Sequence, residues 1–324
     1  MTGKKSENNM LTTQIGGLTL DTPLMTASGT SGSAGEIGLL HNSVNTISAL
    51  GAFITKGVTM EPRKGNSGIR IAETNGGILN SIGLQNSGAE KFATEELPHL
   101  MSYNKPVIVN ISASHPEGFA ALGVRLLELD KNSLIKGFEI NVSCPNISDG
   151  GNAFGVQPQT VEKITALCRK NIPAGILLIV KMTPNVTDIS EPAKAAIHGG
   201  ADALSMINTV KGMKIDVSSQ RPLLGNISGG LSGPAVRPIG VQAVYRCFSV
   251  IPECRNGRVP IIGIGGICNY RDGLEYIFAG ATAVGIGTAF FTNLNVFSEI
   301  KEGLMSYCAE NGTSIPALRG IAVR

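Results

Sequence analysis

Eight short apolar runs separated by helix-period segments predict an α/β fold of the (β/α)8 TIM-barrel type, with extended loops over its C-terminal face. Three observations carry this expectation. The runs are apolar almost throughout, as strands covered on both faces are in a parallel sheet. The segments between them repeat apolar residues at helical spacing. Polar residues and glycines collect at the C-terminal ends of the runs, where barrels place their working groups. The competing architecture is an open doubly wound sheet. It lacks support, because no strand-coupled G-x-G-x-x-G followed by an acidic residue occurs.

The strand candidates lie near 23–27, 52–55, 106–111, 137–142, 176–181, 203–207, 259–264 and 282–286. Each is bounded by Gly, Pro or polar residues. Helix-period segments lie near 88–103, 118–130, 158–171, 190–199, 234–250, 270–279 and 292–306. In the second of these, Phe119, Leu122 and Leu126 share one face. Pro158 and Pro234 stand near helix starts, where the missing N–H costs nothing. Two connections, 57–87 and 208–233, are too long for plain linkers and are expected to be functional loops. The first ten residues read as a disordered extension, and residues 11–324 as a single domain.

The composition excludes several function classes. The 324 residues carry 16% charged and 42% hydrophobic side chains, with a net charge of +3. No Lys/Arg block exceeds two residues, so nothing marks a nucleic-acid surface. The N-terminus lacks the apolar core of a signal peptide, and no apolar run reaches the ~18 residues of a membrane helix. A cytoplasmic protein is expected. The 41 glycines and absence of Trp suit an enzyme with many close backbone approaches.

Read in order, the strand ends give Ser28, then Lys56-Gly57, Asn110, Asn141, Lys181, Ile207-Asn208-Thr209, Gly263–Gly266 and Gly285–Thr288. Lysines in apolar runs need partners, because an unpaired buried charge costs several kcal/mol. An anionic ligand is the partner expected for Lys56 and Lys181. The turns G-I-G-G and G-I-G-T follow the seventh and eighth strands, the usual phosphate site of barrels. A helix N-terminus after such a turn is expected to add positive potential.

The six cysteines, at 144, 168, 247, 254, 268 and 308, form no C-x-x-C pair, so no zinc or iron–sulfur site is expected within the chain. Cys247 falls on a helical apolar series with Ile239, Ala243 and Val250 and reads as core. Cys144 fits no such series. It stands in N-V-S-C-P-N, after the fourth strand. His115 is a lone histidine in a loop and is not assigned chemistry.

The motifs N-V-S-C-P-N, L-N-S-I-G-L-Q-N at 79–86, I-N-T at 207–209, G-G-L-S-G-P at 229–234, G-I-G-G and G-I-G-T resemble, in order, those of the class 1 dihydroorotate dehydrogenases. The resemblance spans about Leu11 to Ile300. The run G-G-N-A-F-G at 150–155 is most similar to class 1B, the catalytic subunit that works with a separate electron-transfer subunit. The resemblance implies one FMN per chain, held by Ser28, Lys56, Gly57, Asn110, Asn141, Lys181, Ile207, Gly233, Gly265, Gly266, Gly287 and Thr288. It implies dihydroorotate or orotate on Lys56, Asn80, Ser81, Ile82, Gly83, Leu84, Asn141, Asn208 and Thr209, with Cys144 as base. No metal site is implied.

These residue types suit the chemistry so implied. A thiol, with an unperturbed pKa of ~8.5, can take a proton near neutral pH or somewhat above. Asparagines match the alternating N–H and C=O edge of a pyrimidine. The loop 143–157 is expected to close over substrate as a lid. For the partners, the resemblance implies a homodimer joined by two subunits carrying FAD and a 2Fe–2S cluster, with NAD as final acceptor. A fumarate-linked class 1A enzyme, a uracil-reducing relative, a catalytically silent flavin- or phosphate-binding subunit and a Schiff-base barrel lyase or aldolase using Lys56 or Lys181 remain alternatives.

Overall fold

The computed structural model describes residues 10–32, 36–39, 43–143 and 154–324. Its centre is an eight-stranded parallel sheet. In chain order the strands are β1 (Leu24–Thr26), β2 (Phe53–Ile54), β3 (Val107–Ile111), β4 (Ile135–Asn141), β5 (Leu177–Met182), β6 (Ala203–Met206), β7 (Ile261–Ile264) and β8 (Ala283–Ile286). From β2 to β8 each pairs with its sequence neighbour, and β8 pairs with β1. All eight apolar runs are therefore strands, each shorter than or close to its expected span.

The barrel closes between β1 and β2, and a side chain completes that seam. Only one parallel bridge, Met25 to Ala52, joins the two strands. One residue further on, the hydroxyl of Thr26 donates to the carbonyl of Ile54 (2.8 Å) and accepts from its N–H (2.7 Å). Threonine thus replaces a ladder partner, which keeps the peptide groups satisfied where the strands diverge.

Two apolar layers follow from the doubly covered strands. Inside the barrel, Met25, Ile54, Ile108, Ile179, Ile262 and Ile264 pack together. The hairpin formed by Thr13–Ile15 and Leu18–Leu20 adds Ile15 and Leu20 to the same cluster, beside Leu177 near the start of β5. Outside, the alternate strand residues meet the helices. Helix Pro116–Leu129 buries Phe119, Leu122 and Leu126, as its spacing predicts. Fully burying one such side chain is worth roughly 1.5–3 kcal/mol.

Helix Arg237–Val250 departs from its expected face. It buries Gly240, Ala243, Val244 and Cys247, while Ile239 is exposed. Cys247 is core as expected, but the stripe is rotated toward Gly240, where a Cβ would meet the Tyr276 hydroxyl. His115 caps helix Pro116–Leu129, its Nδ1 accepting from the N–H of Gly118 (3.1 Å). Met10 is placed, against the expectation of a disordered segment through residue 10. Its carbonyl accepts from Ile315 (2.8 Å) and its side chain packs on the core. Residues 1–9 lie outside the described part.

The two long connections fold together over the C-terminal face. Ile71–Thr74 and Gly77–Asn80 come from the first, Val210–Gly212 and Gly229–Ser232 from the second. They form a four-stranded antiparallel sheet in which Asn80 pairs with Gly230. Among the described residues, no helix is long and apolar enough to cross a membrane.

Candidate active site

Parallel register sets the polar residues of β3 to β6 side by side. Asn110 lies opposite Glu139, Asn141 opposite Lys181, and Lys181 opposite Ser205. Glu139 and Asn141 are two residues apart, so they share one face of β4. Glu139 is wholly buried. Its carboxylate accepts from Asn110 Nδ2 (2.6 Å), Ser205 Oγ (2.7 Å) and Lys181 Nζ (3.5 Å). The chain itself therefore supplies Lys181 with a partner, contrary to the expectation that a ligand must do so. Lys56 is only half-buried, and its ammonium pairs with no described acid.

One turn further toward the face, Asn141 Oδ1 accepts from Asn208 Nδ2 (3.1 Å) and from the Ser143 N–H (3.2 Å). Asn208 Oδ1 in turn accepts from Thr209 N–H (2.8 Å). These bonds use the oxygen of Asn141 and leave its N–H2 as a donor. Asn80 is held the opposite way. Its Nδ2 donates to the Gly230 carbonyl (3.2 Å), leaving an acceptor. Thr209 closes on Gly230, where any Cβ would strike its hydroxyl.

The Ser81–Leu84 turn is shaped by Gly83 (φ +74°) and Leu84 (φ +57°). Asn66 fastens it through Ser81 Oγ (2.8 Å) and the Ile82 carbonyl (3.0 Å). Asn86 does the same from the other side, donating to the Leu84 carbonyl (2.7 Å) and to Thr59 Oγ1 (2.8 Å). A Cβ on Gly57 would lie 2.9 Å from Asn110 Oδ1 and 3.9 Å from Ser112 Oγ. Both atoms are buried with no protein partner. Buried polar atoms are nearly always satisfied, so these two beside Gly57 mark a place for a polar partner that the described residues do not supply.

At the far side, Gly265 (φ +136°) and Gly266 (φ +67°) turn the chain after β7. The backbone of Gly233 approaches so closely that a Cβ on Gly266 would lie 2.7 Å from its carbonyl oxygen. The N–H groups of Gly266, Gly287 and Thr288 donate to no described residue. Thr288 Oγ1 donates to Ser232 Oγ (2.9 Å). The helix after β7, Tyr270–Ala279, does not add open amides as the sequence led one to expect. Its capping box occupies them: Asn269 Oδ1 accepts from Arg271 (2.9 Å) and Asp272 (3.2 Å), and Asp272 Oδ2 accepts from Cys268 (2.9 Å). The free donors belong to the glycine turns themselves.

Ser28 is half-buried after β1, and Ile207 is buried after β6, its N–H donating to Ile264 (2.9 Å). Cys144 and most of the expected lid, residues 144–153, lie outside the described residues. Beyond them, Phe154 is buried against Phe119, with ring centroids 5.9 Å apart. Sequence reading passed over Glu139, Ser205, Ser232 and Asn66. Glu139 carried a signal, a lone acid in the middle of the apolar run G-F-E-I-N-V. Among the described residues no group of His, Cys, Asp or Glu could hold a metal.

A family model described as dihydroorotate dehydrogenase matches residues 10–307. The chain belongs to the dihydroorotate dehydrogenase family. Among its relatives, the "dihydroorotate dehydrogenase B (NAD(+)), catalytic subunit" of Caldicellulosiruptor saccharolyticus is 44% identical over 311 residues, 96% of this chain and 98% of the relative. The proteins of the same name from Pelobacter propionicus and Alkaliphilus metalliredigens are 44% and 45% identical, over 94% and 90% of this chain and 95% and 92% of theirs. Of the dihydroorotate dehydrogenase motifs quoted from the sequence, those at 79–86, 207–209, 229–234, 263–266 and 285–288 occupy the strand ends, the antiparallel sheet and the turns beside them.

Proposed function

We propose that this chain oxidises dihydroorotate to orotate in pyrimidine biosynthesis, as the FMN-carrying catalytic subunit of an NAD-linked enzyme. The observation that supports it best is a pair of unsatisfied polar atoms beside Gly57, at the end of β3. There Asn110 Oδ1 and Ser112 Oγ are buried and unpartnered beside a glycine, in a chain of this family. The residues fit FMN: free glycine-turn amides suit a phosphate, and the Asn110–Lys181 row suits a polar ring edge. Ser28, Lys56, Gly57, Asn110, Asn141, Lys181, Ile207, Gly233, Gly265, Gly266, Gly287 and Thr288 would hold it.

When bound, FMN supplies the two-electron acceptor for the hydride from C6. The chain's own groups do the rest. Cys144 takes the proton from C5. Lys56 neutralises the substrate carboxylate. Asn141 donates to the ring through its free N–H2, and Asn80 accepts through its free oxygen. Asn208 and Thr209 fix that arrangement, and the Ser81–Leu84 turn walls the substrate in. The loop 143–157 excludes water when it closes.

The relatives' names specify NAD(+) and a catalytic subunit, which favours a second, electron-transfer subunit over fumarate as acceptor. We assign FAD and 2Fe–2S to that subunit, and a homodimer of this chain joined by two copies of it, in the cytoplasm. The test is an absorption spectrum. Purified protein should be yellow and bleach anaerobically on adding dihydroorotate. A colourless protein, or one trapped on a carbonyl substrate by borohydride, would favour the Schiff-base alternative. NAD reduction should require the partner, and rapid reduction of NAD by this chain alone would refute the partnership.

A further inference from the structure

Glu139 is the one acidic side chain wholly buried among the described residues of the barrel strands, and the reaction outlined above gives it no part. It lies beneath two residues of the proposed cofactor site. A carboxylate can only accept hydrogen bonds. The atom of Asn110 that lies 2.6 Å from Glu139 Oε2 must therefore be its N–H2. That choice turns Asn110 Oδ1 the other way, toward Gly57, where it is buried without a partner. The same Oε2 lies 3.5 Å from Lys181 Nζ, and Ser205 holds the second oxygen at 2.7 Å. Among the described residues no other carboxylate pairs with Lys181.

We propose that Glu139 is a positioning residue of the cofactor site, fixing Asn110 as a pure acceptor and offsetting the charge of Lys181. The proposal rests on the reading of this face as a flavin site. Its consequences reach the ligand in two ways. A ligand group that meets Asn110 Oδ1 would have to donate a hydrogen bond. Lys181 presents a charge partly balanced from below, so the site favours the electron-rich, reduced ring less than a bare lysine would. Charges count for more in such a dry place than in water.

The test uses the holoenzyme and its reconstitution with FMN. Glu139→Gln keeps the volume and removes the charge. Its flavin potential should rise, with the reduced form favoured about tenfold more, or about 30 mV for a two-electron couple. FMN should also bind about tenfold more weakly to the stripped protein, as Asn110 loses its charged acceptor. Glu139→Asp keeps the charge on a shorter arm. It should weaken FMN binding while returning the potential to within about threefold of wild type. Equal potentials in wild type and the Gln variant, or equal shifts in the Gln and Asp variants, would overturn the proposal. If Glu139→Gln does not fold, Glu139→Asp decides alone, and unchanged FMN affinity overturns it. Wild-type protein that binds no FMN would instead refute the functional reading on which the proposal stands.

Discussion

Asn141 and Asn208 meet side chain to side chain at 3.1 Å, across the end of the strand that carries Lys181. The contact settles which way each amide faces. Asn208 has both ends engaged, by Asn141 and by the Thr209 N–H, so it acts chiefly as a brace. Asn141 keeps its N–H2 for the ligand. Asn208→Ala should therefore free Asn141 to turn and raise the KM for dihydroorotate by about tenfold or more, the cost of one or two buried hydrogen bonds. FMN content should stay near wild type. Steady-state kinetics check this, and an unchanged KM would show that Asn141 needs no brace.

The base assignment is tested at Cys144. Cys144→Ala should keep FMN and lose most dihydroorotate oxidation. Cys144→Ser should retain some activity, shifted to high pH, because a hydroxyl holds its proton far more tightly than a thiol. Normal turnover of the Ala variant near neutral pH would exclude a base role. Four of the five other thiols should not confuse a chemical test. Burial pushes Cys168 and Cys254 up to about 12 and raises Cys247 and Cys308 as well. A raised pKa leaves little thiolate at pH 8, so these four should resist iodoacetamide in the folded protein. Mass spectrometry of the labelled protein would find Cys144 alkylated first and protected by orotate.

Lys56 separates an orotate site from a uracil site. Its ammonium has no acid partner among the described residues, unlike that of Lys181. A charge-assisted bond to a ligand carboxylate is worth about 1.5–3 kcal/mol. Lys56→Met should thus weaken orotate binding about 10- to 100-fold while leaving the weaker binding of uracil little changed. Flavin absorbance titrations measure both. Parallel losses for the two ligands would mean that Lys56 serves the cofactor rather than the carboxylate.

The barrel and the polar residues at its strand ends were legible in the sequence because both depend on periodic local signals. Doubly buried strands read as unbroken apolar runs, and every polar residue at their ends stood out against them. What escaped was pairing across distance. The connections 57–87 and 208–233 gave no strand signal, because glycine-rich segments such as Gly229–Gly230 form strands only against each other. The partner of Lys181 was hidden for the same reason. Glu139 lies 42 positions away, and only strand register brings the two together. The helix at Tyr270 misled in the opposite sense, since its N-terminus looked open until Asn269 and Asp272 were seen to fill it.

Thr26 offers a test of the fold that leaves the chemistry aside. Its hydroxyl donates to one peptide group of Ile54 and accepts from the other, at the seam where β1 and β2 share a single bridge. Thr26 and Ile54 are both wholly buried, so water cannot stand in for the lost hydroxyl. Thr26→Val keeps the shape and removes both bonds. A buried peptide group left without a partner costs about 1–3 kcal/mol, and here a donor and an acceptor are stranded together. The variant should lose about 2–4 kcal/mol of stability, read from denaturant melts where unfolding is reversible and otherwise as a drop in melting temperature. Thr26→Ser, which keeps the hydroxyl, should lose much less. If the Ser and Val variants melted together, the seam would owe its stability to the methyl group and not to the hydrogen bonds.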